Sequence, residues 1–85
     1  MPLLLDGKRA LLLEDDGLIA ANTASDLSEV GALVDTVATC REGLRMLGEQ
    51  DFDFAVLDIK LVDETSYALA SELKHRGVPF LFISG

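Results

Sequence analysis

Two short apolar runs that end in acids decide the fold, Ala55-Val56-Leu57-Asp58 and the earlier Leu11-Leu12-Leu13-Glu14-Asp15-Asp16. Short apolar runs bounded by polar residues are typical of strands buried on both faces of a parallel sheet. The carboxyl ends of such strands share one edge, so Glu14, Asp15 and Asp58 should lie close together. A group of carboxylates is unfavourable unless a cation neutralises it or one member keeps a proton. The pattern therefore predicts a divalent-metal site, with chemistry on one aspartate.

Strands and helices alternate along the rest of the chain. Apolar runs predict strands over residues 8–13, 32–37, 54–57 and 80–83. Helical periodicity predicts helices over residues 18–30, 41–50 and 66–76, and residues 59–64 are expected to form a loop. This alternation predicts an α/β domain in which helices cover both faces of a parallel sheet.

Composition excludes several function classes. The 85 residues allow a single domain, and 15 acidic against 7 basic residues give a net charge of −8. That charge disfavours nucleic acid and anionic membrane surfaces as partners. No apolar run approaches the roughly 20 residues that span a bilayer. One cysteine, Cys40, cannot form an internal disulfide, and no signal peptide is evident, so we expect a cytoplasmic protein and an inert, small Cys40 near a helix start.

The aspartates also have a simpler interpretation. Asp15 or Asp16 is suited to cap the helix that follows the first strand. Asp58 at a strand end can satisfy backbone amides of the next loop. The metal-site interpretation remains because the cluster is rich in oxygen ligands, and oxygen-rich sites with few fixed ligands suit Mg²⁺.

The chain resembles the receiver domains of bacterial two-component response regulators, of the chemotaxis-regulator type. Three motifs carry the resemblance in order, namely Leu-Leu-Leu-Glu14-Asp15-Asp16, Val56-Leu57-Asp58-Ile59 and Val78-Pro79-Phe-Leu-Phe-Ile-Ser84-Gly85. It implies a flavodoxin-like, doubly wound parallel sheet with strand order 2-1-3-4. It also implies a C-terminally truncated domain, which lacks the family's fourth helix, fifth strand and fifth helix. We therefore expect an N-terminal tail over residues 1–7 and a partial receiver domain over residues 8–85.

The resemblance assigns roles to five residues. Asp58 would be the phosphoacceptor, receiving the phosphoryl group from a sensor histidine kinase, a phosphotransfer protein or a small phosphodonor. Glu14, Asp15, Asp58 and the backbone carbonyl of Lys60 would hold Mg²⁺. Ser84 would be the switch hydroxyl, the alternative being an ordinary strand-end hydroxyl. Such a domain is a signalling phosphoacceptor rather than an enzyme, although it catalyses its own phosphotransfer.

The sequence also departs from the family. No residue matches the family's phosphate-contacting lysine, and Val62 and Ser66 stand where many receivers have proline and glycine. The fourth strand would be an open sheet edge, so we expect a homodimer through that edge or through the exposed sheet face beside the first helix. The alternative function is an interaction module that dimerises without productive phosphorylation. An aspartyl phosphatase is disfavoured, because Lys60 stands where the common signature has a second aspartate.

Overall fold

The computed structural model describes residues 3–61 and 64–83, without the side chains of residues 61 and 64–66. Within that range the elements alternate as expected. In chain order they are β1 (Arg9–Leu13), α1 (Gly17–Glu29), β2 (Leu33–Val37), α2 (Cys40–Glu49), β3 (Phe54–Asp58), a 3-10 turn (Ile59–Leu61), α3 (Glu64–His75) and β4 (Phe80–Ile83).

The four strands of the described chain form one parallel sheet in the order β2-β1-β3-β4. This confirms the predicted α/β, flavodoxin-like strand order. Leu13 at the end of β1 is in register with both Val37 of β2 and Leu57 of β3, and Asp58 is in register with Ile83 of β4. The carboxyl ends of the four strands therefore meet at one edge.

The two faces of the sheet are covered by different helices. Alternate side chains of β1 and β3 join residues of α2 and α3 in one buried cluster that includes Leu11, Leu57, Leu47, Leu69 and Leu73. Because successive side chains of a strand point to opposite faces, the intervening residues face α1, which packs on β2 and β1. The core thus lies mainly on the α2–α3 side.

Helix starts follow their capping residues. Asp16 caps α1, its Oδ1 accepting from the N–H of Leu18 at 2.9 Å and of Ile19 at 3.0 Å. Thr39 caps α2, its Oγ1 accepting from the N–H of Glu42 at 3.2 Å, as the capping-box spacing predicts. Of the two candidate caps of α1, Asp16 takes that role, which leaves the Asp15 side chain for another.

Most boundaries agree with the sequence prediction to within one residue, and two segments differ by more. Residues 59–61 form a 3-10 turn where a loop was expected, and α3 begins at Glu64 rather than Ser66. The turn is held by Asp58, whose carboxylate accepts a hydrogen bond from the Lys60 N–H. The segment has no apolar periodicity from which a sequence pattern would reveal it.

The residues before β1 contact the end of α1. The N–H of Leu5 donates to the carbonyl of Val30 at 2.8 Å, and the N–H of Gly7 donates to that of Gly31 at 3.0 Å. The boundary between a tail over residues 1–7 and a domain from residue 8 stays a prediction. Cys40 is buried as the first residue of α2. In the described ranges, no helix combines the length and apolarity needed to cross a membrane.

Gly31 offers a test of this N-terminal contact. Its φ is +100°, and a Cβ there would stand 2.6 Å from the Cα of Asp6. We expect Gly31→Ala to lower the free energy of unfolding by about 2–4 kcal/mol, from left-handed strain and overlap together. Urea unfolding followed by circular dichroism measures this.

The matched control is Gly48→Ala in α2, where a Cβ meets nothing within 4 Å. That change should be neutral or stabilise by up to about 1 kcal/mol, since alanine favours helix over glycine. Equal effects of the two substitutions would contradict the close approach of Gly31 to Asp6.

Candidate metal centre

Three carboxylates meet at the carboxyl edge of the sheet. Glu14 and Asp15 follow β1 directly, and Asp58 is the last residue of β3. Glu14, Asp15 and Asp58 each offer one oxygen, and these three oxygens lie within 4.8 Å of one another. The structure therefore brings together the three acids that the strand pattern singled out.

The three acids differ in their contact with water. Glu14 is 2% exposed and Asp58 is 1% exposed, whereas Asp15 lies at the surface. Two carboxylates are thus withdrawn from water side by side, which costs free energy unless charge is compensated. Asp15 therefore marks the side on which the group is open to solvent.

Backbone amides satisfy part of this charge. The N–H of Lys60 donates to Oδ1 of Asp58 at 2.9 Å, and the N–H of Asp16 donates to Oε2 of Glu14 at 3.3 Å. The other oxygen of Glu14, Oε1, is buried without a hydrogen-bond partner among the described residues. A proton shared with a neighbouring carboxylate, or a cation, would satisfy it.

Burial raises the pKa of Glu14 above its usual 4.5. The neighbouring Asp58 adds to this rise, both as a hydrogen-bond partner for the protonated form and through its negative charge. Asp15 raises the pKa further, and only the N–H of Asp16 opposes the shift. Without a cation, Glu14 therefore relieves the crowding of charge by holding a proton.

The donor set fits a small divalent cation. It consists of carboxylate oxygens, which hard ions such as Mg²⁺ prefer, and one member is open to water, which Mg²⁺ retains in its shell. The orphaned Oε1 of Glu14 is the observation that most favours an ion, because it leaves a buried anionic acceptor to be satisfied.

Two sequence-predicted members stand apart from this geometry. Ser84, the expected switch hydroxyl, lies outside the described residues. Lys60 lies in the 3-10 turn, where its N–H donates to Asp58. The role of its carbonyl as a metal ligand stays a prediction. The Lys60 N–H bond is the amide contact that the simpler interpretation of Asp58 allowed. Sequence reasoning missed the Asp16 N–H donor to Glu14, since backbone hydrogen bonds leave no mark in residue type.

The chain is similar in sequence to known proteins. No protein-family model matches the chain. The transcriptional regulatory protein TcrA of Mycobacterium tuberculosis is 32% identical over 74 residues, which cover 87% of this chain and 29% of TcrA. The two-component response regulator PhoP of Pseudomonas aeruginosa is 32% identical over 72 residues, covering 85% of this chain and 32% of PhoP.

The fold has a solved counterpart. The chemotaxis response regulator CheY4 of Vibrio cholerae superposes with a TM-score of 0.79 at 21% identity, over 89% of this chain and 67% of CheY4. The chain belongs to the response regulator receiver family. The receiver described here spans about a third of the length of the curated relatives that it matches.

Removal of the Glu14 charge tests the electrostatic account of this receiver. We expect Glu14→Gln to raise the free energy of unfolding by about 1–3 kcal/mol at neutral pH in a metal chelator. To fold without a cation, the wild type must either bury the Glu14 charge or take up a proton that the unfolded chain does not hold, whereas the glutamine amide is neutral and can donate to Asp58. The same change should weaken divalent-cation binding. Chemical unfolding with and without Mg²⁺ measures both effects.

The gain in the free energy of unfolding from Glu14→Gln should depend on pH. Folded wild-type protein keeps the Glu14 proton to higher pH than the unfolded chain, so it loses stability as pH rises from 4.5 through the raised pKa. The advantage of Glu14→Gln should therefore be small below 4.5 and grow above it. Glu29→Gln, on an exposed residue of α1, is the control. A gain in the free energy of unfolding that does not change with pH, or a loss, would show that the Glu14 carboxyl group does not destabilise the folded protein.

Proposed function

We propose that this receiver accepts a phosphoryl group on Asp58 from a sensor histidine kinase or a phosphotransfer protein, in a reaction that depends on Mg²⁺. The observation that carries the proposal is the buried Asp58, anchored by the Lys60 N–H beside Glu14 and Asp15. A carboxylate needed only for structure has no reason to share its pocket with two more. A cytoplasmic location belongs to this proposal, because a single cysteine forms no internal disulfide.

The proposed step is in-line phosphoryl transfer. A carboxylate oxygen of Asp58 forms a bond to phosphorus while the bond from phosphorus to the donor breaks, and the donor nitrogen or oxygen keeps the electron pair. The Lys60 N–H holds Oδ1 at 2.9 Å, which orients the second oxygen toward the donor. We do not assign turnover of a separate substrate to the domain, since its own aspartate is what becomes modified.

The negative charges of the acids around Asp58 would, by themselves, oppose phosphoryl transfer. Glu14 and Asp15 repel an anionic phosphoryl donor, so they favour the reaction only as ligands. Mg²⁺ bound there supplies charge neutralisation between two anions and orientation of the transferred group. Glu14, Asp15 and Asp58 would hold it, with the Lys60 carbonyl as a further proposed ligand.

Phosphorylation would change the charge at the edge where β3 meets β4. The phosphoryl group carries about −1.5 to −2 charge and strong acceptor oxygens. A hydroxyl at the end of β4 is suited to turn toward such an acceptor, and Ser84 follows β4 in sequence. Its role as switch hydroxyl is part of the proposal.

The direct test is intact-mass spectrometry after incubation with acetyl phosphate. We expect a mass increase of one phosphoryl group that requires Mg²⁺ and is abolished in Asp58→Asn, because Asp58 is the acceptor. An adduct in folded Asp58→Asn protein, or no adduct on folded wild-type protein with Mg²⁺, would end the phosphoacceptor proposal.

One observation favours a second candidate function, a module that acts by association. β4 lies at the edge of the described sheet, where it pairs only with β3. Its side chains are apolar and partly open to solvent, with Leu81 53% exposed and Phe82 40% exposed. An apolar edge strand is a template for pairing with another chain. We propose that two copies pair through β4, with or without phosphorylation.

Sedimentation equilibrium tests this edge. Wild-type protein should sediment as a dimer, and Phe82→Lys should sediment as a monomer, because a charge on an edge strand opposes further pairing. Leu18→Lys is the control, since Leu18 is 72% exposed on α1 and away from the edge. A wild-type monomer at all concentrations would refute the dimer.

A further inference from the structure

We draw no further inference here: the strongest candidate, the open cleft of about 410 Å³ between the C-terminal ends of α2 and α3, carries nothing, because its apolar walls Leu47 and Phe52 are already buried and the Arg76 guanidinium already donates to the Leu47 carbonyl and to Glu72, so that nothing in the described part of the chain shows what would occupy it.

Discussion

Parallel pairing of β1 with β3 in one register is the constraint on which the site depends. Leu13 lies opposite Leu57, so the residues that follow, Glu14 and Asp58, emerge together at the carboxyl edge. A slip of one residue would turn the side chains of a strand to the opposite face and move its buried leucines out of the core. The buried apolar side chains thus fix the position of the carboxylates, and the acids contribute nothing to that choice of register.

The site works against the stability of the domain that holds it. Glu14 and Asp58 are almost fully buried, and one oxygen of Glu14 has no partner among the described residues. Folded domains are only marginally stable, so such a cost is a sizeable share of the total free energy of unfolding. A ligand that binds only the folded state returns stability by mass action. Cation binding and folding of this receiver should therefore be coupled.

Much of the fold was predictable from the sequence because several local signals agree. The apolar runs mark the strands, capping residue types precede α1 and α2, and the alternation of strands and helices indicates one parallel sheet. The strand order agrees with the one that the family resemblance implied. The acid cluster was predictable for the same reason, since its members directly follow buried strands. The choice of Asp16 rather than Asp15 as cap was not, because both residue types suit that position and the backbone path decides between them.

The exact donors among backbone amides and the contacts of distant side chains were not predictable. The sequence allowed Asp58 to accept from the next loop, but that Lys60 is the donor, and that Asp16 donates to Glu14, depends on turn geometry that residue type does not specify. At the opposite edge of the sheet, Arg9, Asp35 and Gln50 join three elements through hydrogen bonds of 2.7–3.3 Å. Periodicity likewise leaves open where α1 packs on the sheet, which is on β2 and β1.

The most direct test of the central claim is a Mg²⁺ titration of the apo protein followed by amide chemical shifts. A carboxylate-bound cation predicts saturable shifts that are largest at Glu14, Asp15, Asp58 and Lys60, and shifts that do not saturate or are spread evenly over the sheet would contradict it.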